Sequence, residues 1–224
     1  NMEILNNPSH LECVNPVVQG KVRAKQHYNH DANRTDHTGV IIHGDAAFAG
    51  QGVNYENLQM QNLKNYTTGG LLHVVANNQI GFTTTPADGR STPFPTDIGK
   101  AYNSPIIHVN ADNPIAVDFA FKLAADYSKK YPKDLIVDIV GYRRYGHNEL
   151  DQPSFTQPEM YQKINAQKDV LTLFEERLIS EGFNKEELEK NGYRVLKGKE
   201  LKEFKEEVGN LSKYFNAKIC GEVD

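Results

Sequence analysis

One stretch decides the fold, and it runs from Val40 to Phe82. It opens with Val40-Ile41-Ile42-His43-Gly44-Asp45-Ala46-Ala47 and closes with Leu71-Leu72-His73-Val74-Val75-Ala76-Asn77-Asn78-Gln79-Ile80-Gly81-Phe82. Each end is an apolar run, partly β-branched, that stops at small or polar residues. This pattern predicts two buried strands whose C-terminal ends lie at a binding site. One strand ends at Gly44-Asp45 and the other at Asn77-Asn78.

The residues that follow the first strand favour a helix beside a phosphate site. Gly50-Gln51-Gly52 leads into the segment 53–63, which can be helical. In an open parallel sheet, ligands bind at the carboxyl ends of the strands, where a helix N-terminus offers free N–H groups to phosphate. The small side chains of Ala46 and Ala47 would let the backbone approach a diphosphate closely.

A carboxylate and a carboxamide at neighbouring strand ends also suit magnesium, which prefers about six oxygen ligands and keeps some of them from water and phosphate. Asp45, one asparagine of the Asn77-Asn78 pair and a backbone carbonyl just after it would supply half of such a shell. On spacing alone, a purely structural interpretation is equally good. In that interpretation Asp45 caps the following helix and the two asparagines form a polar turn.

Four motifs, in order, resemble a known family. They are Asn7-Pro8-Ser9-His10-Leu11-Glu12, His43-Gly44-Asp45-Ala46-Ala47-Phe48-Ala49-Gly50-Gln51-Gly52, Asn77-Asn78-Gln79-Ile80-Gly81-Phe82-Thr83-Thr84 and Tyr142-Arg143-Arg144-Tyr145-Gly146-His147-Asn148-Glu149. Gly-Asp followed at this spacing by Asn-Asn is similar to the thiamine diphosphate signature of the transketolase-like decarboxylases. Together the motifs resemble the decarboxylating first component of 2-oxoglutarate dehydrogenase over roughly residues 6–165, and the resemblance fades after about Val170.

The resemblance implies a magnesium and diphosphate site. Asp45 and Asn78 would bind Mg²⁺ through their side chains, and Ile80 would bind it through its backbone carbonyl. The second asparagine of the pair is preferred because it aligns with the family's ligand. Asp45, Ala46, Ala47 and Asn78 would together contact the cofactor, thiamine diphosphate.

The resemblance also implies roles for residues near the substrate. Ser9 would touch the 2-oxo acid, and the backbone around Leu11 would contact the aminopyrimidine ring of the cofactor. His147 would be the catalytic residue, near the cofactor phosphate or the incoming lipoyl arm. Arg143 and Arg144 would bring positive charge to the diphosphate; alternatively, they pair with the acidic residues at 149 and 151 in a surface network.

The implied function is that of an oxidoreductase in the multienzyme complex of the tricarboxylic acid cycle. Thiamine diphosphate with Mg²⁺ would decarboxylate 2-oxoglutarate, and the succinyl group would pass to a lipoyl-bearing acyltransferase. A second, pyrimidine-binding domain or subunit, commonly in a homodimer, would complete the site, so the isolated chain is expected to be inactive. Two alternatives stay open: 2-oxoadipate as substrate, or a non-catalytic scaffold domain of a larger complex.

Composition and the pattern of apolar residues argue against several other classes of function. A net charge of −4 gives no indication of a nucleic-acid partner, and no apolar run approaches the roughly 20 residues of a membrane span. Cys13 and Cys220 show no pairing pattern, which suits a reducing compartment. The family points to the mitochondrial matrix, although a bacterial cytoplasm fits the same residues. Because residue 1 is not Met, we expect a piece of a longer polypeptide.

Strands and helices alternate along the chain, which predicts an α/β fold with a mostly parallel sheet and helices on both faces, the thiamine diphosphate-binding fold. Ile106–Asn110 and Leu135–Val140 are predicted strands. The helix between them is predicted to have Asn113 as its N-cap and Pro114 as its first residue.

Two segments are predicted to lie outside this strand–helix pattern. Residues 82–100 are rich in Thr, Ser, Pro, Asp and Gly, which predicts a long loop that orders when the cofactor binds or else a plain surface loop. We expect residues 1–170 to form the diphosphate-binding domain. Residues 171–224 are expected to form a charged helical extension or the start of a linker to a second domain.

Overall fold

The computed structural model describes residues 2–184. They form a four-stranded sheet in which all neighbouring strands are parallel, in the order β1-β2-β4-β3. The strands are β1 (Gly39–Gly44), β2 (Leu71–Asn77), β3 (Ile106–Asn110) and β4 (Leu135–Val140). All four coincide with the β-branched apolar runs of the sequence, so the prediction of a parallel α/β sheet is confirmed.

Helices connect the strands and follow the last of them. The eight helices of the described residues are α1 (Asn15–Tyr28), α2 (Asp45–Gly50), α3 (Gly52–Gln59), α4 (Pro86–Gly89), α5 (Ile98–Ala101), α6 (Pro114–Lys130), α7 (Pro158–Ala166) and α8 (Val170–Ser180). None of the helices within residues 2–184 has the length and apolar character that crossing a bilayer requires.

Helices cover both faces of the sheet, because side chains of β4 alternate between two separate clusters. Ile136 packs on one face with Phe48 of α2 and Val75 of β2. Its neighbours Leu135 and Val137 belong to a cluster on the other face, formed with side chains of α6. Successive residues of a strand point to opposite faces, so the two clusters are the two halves of the core. The predicted arrangement of helices on both faces is confirmed.

The first strand is less buried than its sequence indicates. β1 is an edge strand, and its burial alternates: Ile41 and His43 are buried, whereas Val40 and Ile42 are 53% and 58% exposed. Helix α1 packs against β1, and α6 lies over β3 and β4. The apolar run predicts a strand buried on both faces, and this is wrong for the described residues because α6 does not extend over β1.

The predicted start of α6 is confirmed, whereas that of α7 is wrong. The Asn113 side chain caps α6 by accepting a hydrogen bond from the backbone N–H of Ala116, 3.2 Å away. The sequence around Thr156 predicts a capping box for α7. The helix instead begins at Pro158, after Gln157 as N-cap, with no capping side-chain hydrogen bond.

Two predicted loops contain regular structure. Residues 82–100 include the short helix α4, a 3-10 turn at Pro95–Asp97 and the start of α5. Thr96 in that turn is fully buried, because the turn packs against α2. At the N-terminus, the composition of residues 6–20 favours a loop packed on the sheet, but α1 begins within that stretch at Asn15. The helical segment predicted from Val17 to Tyr28 lies within α1 and is confirmed.

Helix α8 confirms that the chain is helical immediately after residue 170. Its Arg177 Nη1 donates a hydrogen bond to the Asn113 side chain at the N-terminus of α6, 3.2 Å away. The further helices predicted beyond residue 184, and Cys220, lie outside the described residues. The division into domains at residue 170 stays a prediction.

Ile136 and Ile42 differ in exposure, which predicts that their truncation changes the free energy of unfolding by different amounts. Ile136→Ala, at a fully buried position, should lower the free energy of unfolding by about 2–5 kcal/mol, because it leaves a cavity. Ile42→Ala, at a position 58% exposed, should cost less than about 1 kcal/mol. Urea unfolding of both variants measures this difference. Equal losses would contradict the assignment of Ile42 to an open face.

Candidate cofactor site at the carboxyl edge of the sheet

The ends of β1 and β2 lie side by side. Gly44 is opposite Ala76 in the parallel register, so Asp45 leaves β1 just before the Asn77-Asn78 pair leaves β2. The loop after β2 then touches the start of α2: a Cβ added to Gly81 would lie 2.7 Å from the Cβ of Ala46. Only glycine permits this approach, so the two predicted ligand segments are held against each other.

Asp45 is a buried carboxylate at this junction. It is the first residue of α2 and only 3% exposed. Burial raises the pKa of Asp45 to about 6, and the nearby Asp138 carboxylate adds to the effect, while Arg90 and the backbone N–H groups of Asp45 and Ala46 oppose it. Arg90 Nη1 is 3.7 Å from Asp45 Oδ2, which is an ion pair but not a hydrogen bond. An additional cation beside Asp45 would therefore stabilise its ionised carboxylate.

Asn77 and Asn78 make different contacts. Asn77 is buried, and its Nδ2 donates to Asp138, 3.1 Å away. Asn78 is half-buried, and its Oδ1 accepts a hydrogen bond from the backbone N–H of Ile80 at 3.1 Å. Between them and Ile80 the chain turns through Gln79, whose φ of 62° is left-handed. Asn77 Oδ1 likewise accepts a hydrogen bond from the backbone N–H of Gln79 at 3.2 Å, so both asparagines hold the turn. Asn77 is in addition tied to Asp138 by its amide group, whereas Asn78 is not.

The donor set of this junction fits a magnesium–diphosphate group. Within residues 2–184 no cluster of three or more His, Cys, Asp or Glu side chains is arranged to hold a metal by itself. One carboxylate with an amide oxygen and a carbonyl would leave several positions of an octahedral ion to phosphate and water, which is how Mg²⁺ is commonly held. Ala46 is exposed and Ala47 buried, so no long side chain at these two positions obstructs such a group.

Arg143 organises the loop after β4. Its side chain is buried, and it donates to the Phe82 carbonyl at 2.9 Å and to the Tyr161 hydroxyl at 3.3 Å. Arg144 donates to the Tyr142 hydroxyl and to the Gln167 carbonyl, 3.0 and 3.2 Å away. Both guanidinium groups therefore fix the loop to its neighbours, an arrangement that neither the diphosphate nor the surface-network interpretation anticipated.

His147 lies next to the loop that carries Ile80. Its ring meets Phe82 edge to face, with centroids 5.0 Å apart, and its Nδ1 is 3.5 Å from Nη1 of Arg143. The backbone N–H of His147 donates to Asp151, 3.2 Å away. Because a guanidinium only donates, Nδ1 is the acceptor in this contact. The site role of His147 stays a prediction.

The N-terminal segment is anchored to β1. Ser9 is exposed and Leu11 half-buried, and they precede Glu12, which is buried with a left-handed φ of 66°. Glu12 accepts from Asn15 Nδ2 at 2.6 Å, and its Oε2 lies 2.5 Å from Nδ1 of His43. These contacts fix the segment that contains Ser9 and Leu11 to β1, which ends just before Asp45. The contacts of Ser9 and Leu11 with ligands stay predictions.

Sequence reasoning missed a buried row of polar side chains beneath this edge. His43 Nε2 lies 2.9 Å from His73 Nδ1, and His73 Nε2 lies 3.4 Å from Asp134 Oδ2. With the bond to Glu12, the row has three hydrogen bonds and needs three protons, so either one imidazole is charged or a carboxyl is protonated. Burial lowers the pKa of His43 and outweighs the opposing effect of Glu12.

A second missed contact lies under the β2 end. Asp138 of β4 is fully buried and accepts from Asn77 and from Nδ1 of His108, the latter at 2.8 Å. The available signal was a polar residue inside an apolar strand, His108 in β3 and Asp138 in β4. An acidic residue inside an apolar strand such as 135–140 requires a buried partner, but the sequence does not say which residue it is.

Comparison with known proteins identifies the family of this chain. The family model for the dehydrogenase E1 component matches residues 1–209, so the chain belongs to the dehydrogenase E1 component family. That family is thiamine diphosphate-dependent.

Three curated relatives narrow the similarity. The chain is 53% identical over 193 residues to "2-oxoglutarate dehydrogenase, mitochondrial" of Saccharomyces cerevisiae, covering 85% of the chain and 19% of the relative. It is 52% identical to "2-oxoglutarate dehydrogenase-like, mitochondrial" of Rattus norvegicus (81% and 18%) and to "2-oxoglutarate dehydrogenase, mitochondrial" of Dictyostelium discoideum (80% and 18%). The predicted resemblance is confirmed, and the chain spans about a fifth of the length of these relatives.

The raised pKa of Asp45 predicts a pH-dependent stability. An acid whose pKa is higher in the folded state destabilises the fold as pH rises from its unfolded value, 3.8, through about 6. Asp45→Asn should therefore stabilise the metal-free protein by up to about 3 kcal/mol at pH 7.5, and much less at pH 4. Urea unfolding at both pH values measures this.

The control for that experiment is Asp118→Asn, since the Asp118 side chain is 61% exposed and pairs with Lys122 on α6. Its effect on the free energy of unfolding should be small at both pH values. A gain from Asp45→Asn of the same size at pH 4 and pH 7.5 would contradict the burial of an ionised Asp45.

Proposed function

We propose that this chain is the magnesium- and diphosphate-binding part of a thiamine-dependent 2-oxo acid dehydrogenase that acts on 2-oxoglutarate. The observation that carries the proposal is the buried Asp45 at the end of β1, in contact range of Arg90 and beside the turn that holds Asn78 and Ile80. Membership of a thiamine diphosphate-dependent family and relatives named 2-oxoglutarate dehydrogenase support it.

In this proposal Asp45 and Asn78 bind Mg²⁺ through side-chain oxygens, and Ile80 binds it through its carbonyl. The turn supports these roles: among the described residues Asn78 Oδ1 accepts one hydrogen bond, from the Ile80 N–H, and a carbonyl oxygen has a second lone pair that can bind a metal. Ala46 and Ala47 lie against the diphosphate. The close approach of Gly81 to Ala46 narrows the space beside them, which supports this placement.

When bound, thiamine diphosphate supplies the carbanion chemistry that releases carbon dioxide from a 2-oxo acid. The residues of the chain orient the cofactor and the 2-oxo acid. Leu11 contacts the pyrimidine ring through its backbone, and Ser9 donates a hydrogen bond to the 2-oxo acid from its hydroxyl. The tie between Glu12 and His43 supports both placements. His147 lies near the phosphate or the incoming lipoyl arm.

The remaining partners follow from the same proposal. A pyrimidine-binding domain or subunit completes the site in a homodimer, and a lipoyl-bearing acyltransferase receives the succinyl group. The names of the relatives place those proteins in mitochondria, which supports the mitochondrial matrix as the location of this one.

The proposal is tested by calorimetric titration of thiamine diphosphate with Mg²⁺ into the protein. Binding should require Mg²⁺, and Asp45→Ala should weaken it at least about 100-fold, because a charged metal ligand is lost. Asp118→Ala is the control for removal of an exposed carboxylate. Wild-type affinity in Asp45→Ala would refute the assignment.

A second expected outcome concerns activity. Residues 2–184 alone should release no carbon dioxide from 2-oxoglutarate, because the proposed pyrimidine-binding domain is not among the elements of those residues. The same assay on the assembled complex with its acyltransferase should show turnover. Decarboxylation by the purified chain on its own would contradict the need for a second domain.

A further inference from the structure

Arg90 lies beside Asp45 and does not use all of its donors. Nη1 is 3.7 Å from Asp45 Oδ2, and the side chain is 12% exposed. Nη2 donates to the Pro93 carbonyl at 3.3 Å. Nε is buried and has no hydrogen-bond partner within residues 2–184. A buried N–H donor without an acceptor is unfavourable, so this position suits an acceptor that arrives from outside.

The charges at this junction do not balance. Asp45 lies near Asp138 as well as Arg90, and both carboxylates are buried. Asp138 is already bonded to Asn77 and to Nδ1 of His108, whereas Asp45 faces Arg90 from 3.7 Å, so Asp45 is the carboxylate that attracts a divalent cation. A cation bound to Asp45, however, meets the positive Arg90 on the same carboxylate, where the two repel each other.

We propose that Arg90 is a further diphosphate-binding residue that changes partner when the metal binds. Without ligand, its guanidinium is the counter-cation of Asp45. When Mg²⁺ takes the Asp45 carboxylate, the guanidinium leaves it and donates to the diphosphate oxygens. This inference rests on the proposed function, because it needs a diphosphate beside Asp45.

The chemistry and position of Arg90 carry this assignment. A guanidinium presents several N–H donors in one plane and matches phosphate oxygens well. Arg90 is the C-cap of the four-residue helix α4, in the exposed part of the segment between β2 and α5. The same segment is fixed further on by the buried turn at Pro95–Asp97. A small movement of Arg90 is therefore possible without repacking the core.

The test is calorimetry on the intact protein with two probes, Mn²⁺ alone and thiamine diphosphate with Mg²⁺. Arg90→Gln should bind Mn²⁺ alone about threefold more tightly, because a competing cation is gone. It should bind thiamine diphosphate with Mg²⁺ about tenfold more weakly, because charge-assisted hydrogen bonds are lost. Arg90→Lys should resemble wild type with Mn²⁺ and fall between the two with the diphosphate.

The matched control is Lys122→Gln, which removes one positive charge from an exposed pair on α6. It should leave both affinities unchanged. Unchanged affinities in Arg90→Gln would overturn the inference, as would tighter binding of the diphosphate in Arg90→Gln. If Arg90→Gln does not fold, Arg90→Lys decides the question, because an affinity for the diphosphate equal to that of wild type would overturn the inference.

Asp45→Asn, titrated alongside, separates this inference from the proposed function. If Asp45→Asn loses the diphosphate while Arg90→Gln keeps wild-type affinities, the cofactor site stands and the role of Arg90 is wrong. If Asp45→Asn binds the diphosphate like wild type, the proposed function itself fails, and the inference fails with it.

Discussion

The burial of one carboxylate, that of Asp45, is the constraint on which the rest of the site depends. Parallel pairing of β1 with β2 places it at the junction of two strand ends, and the contact of Gly81 with Ala46 closes the space around it. A buried carboxylate is unfavourable unless a cation compensates it. Arg90 compensates it only from 3.7 Å. The fold thus creates a position that favours a metal ion.

A layer of buried polar contacts holds the segments of the site on the sheet. Glu12, His43, His73 and Asp134 form one row of hydrogen bonds across β1 and β2. It ties the N-terminal segment with Ser9 and Leu11 to the strand that delivers Asp45. Such networks specify a single arrangement when every member is satisfied, which suits a site assembled from distant parts of the chain.

The sequence predicts what local patterns determine. The strand bounds of β3 and β4 and the Asn113 cap of α6 follow from short apolar runs and from a capping residue before proline. The site residues were proposed from motifs, and two of the motifs do meet at one edge. The contact of Arg90 with Asp45 joins residues far apart in sequence, so no local signal contains it. The exposed face of β1 was missed because burial depends on where α6 packs.

The most direct test of the proposed metal site is the identity of its ligands. A crystal structure of the protein with thiamine diphosphate and Mn²⁺, with the metal located by its anomalous scattering, measures it. We expect Mn²⁺ at about 2.1–2.2 Å, close to the Mg²⁺ distance, from a carboxylate oxygen of Asp45, Oδ1 of Asn78 and the carbonyl oxygen of Ile80. A metal ion held without Asp45 or bound at another edge of the sheet would contradict the account.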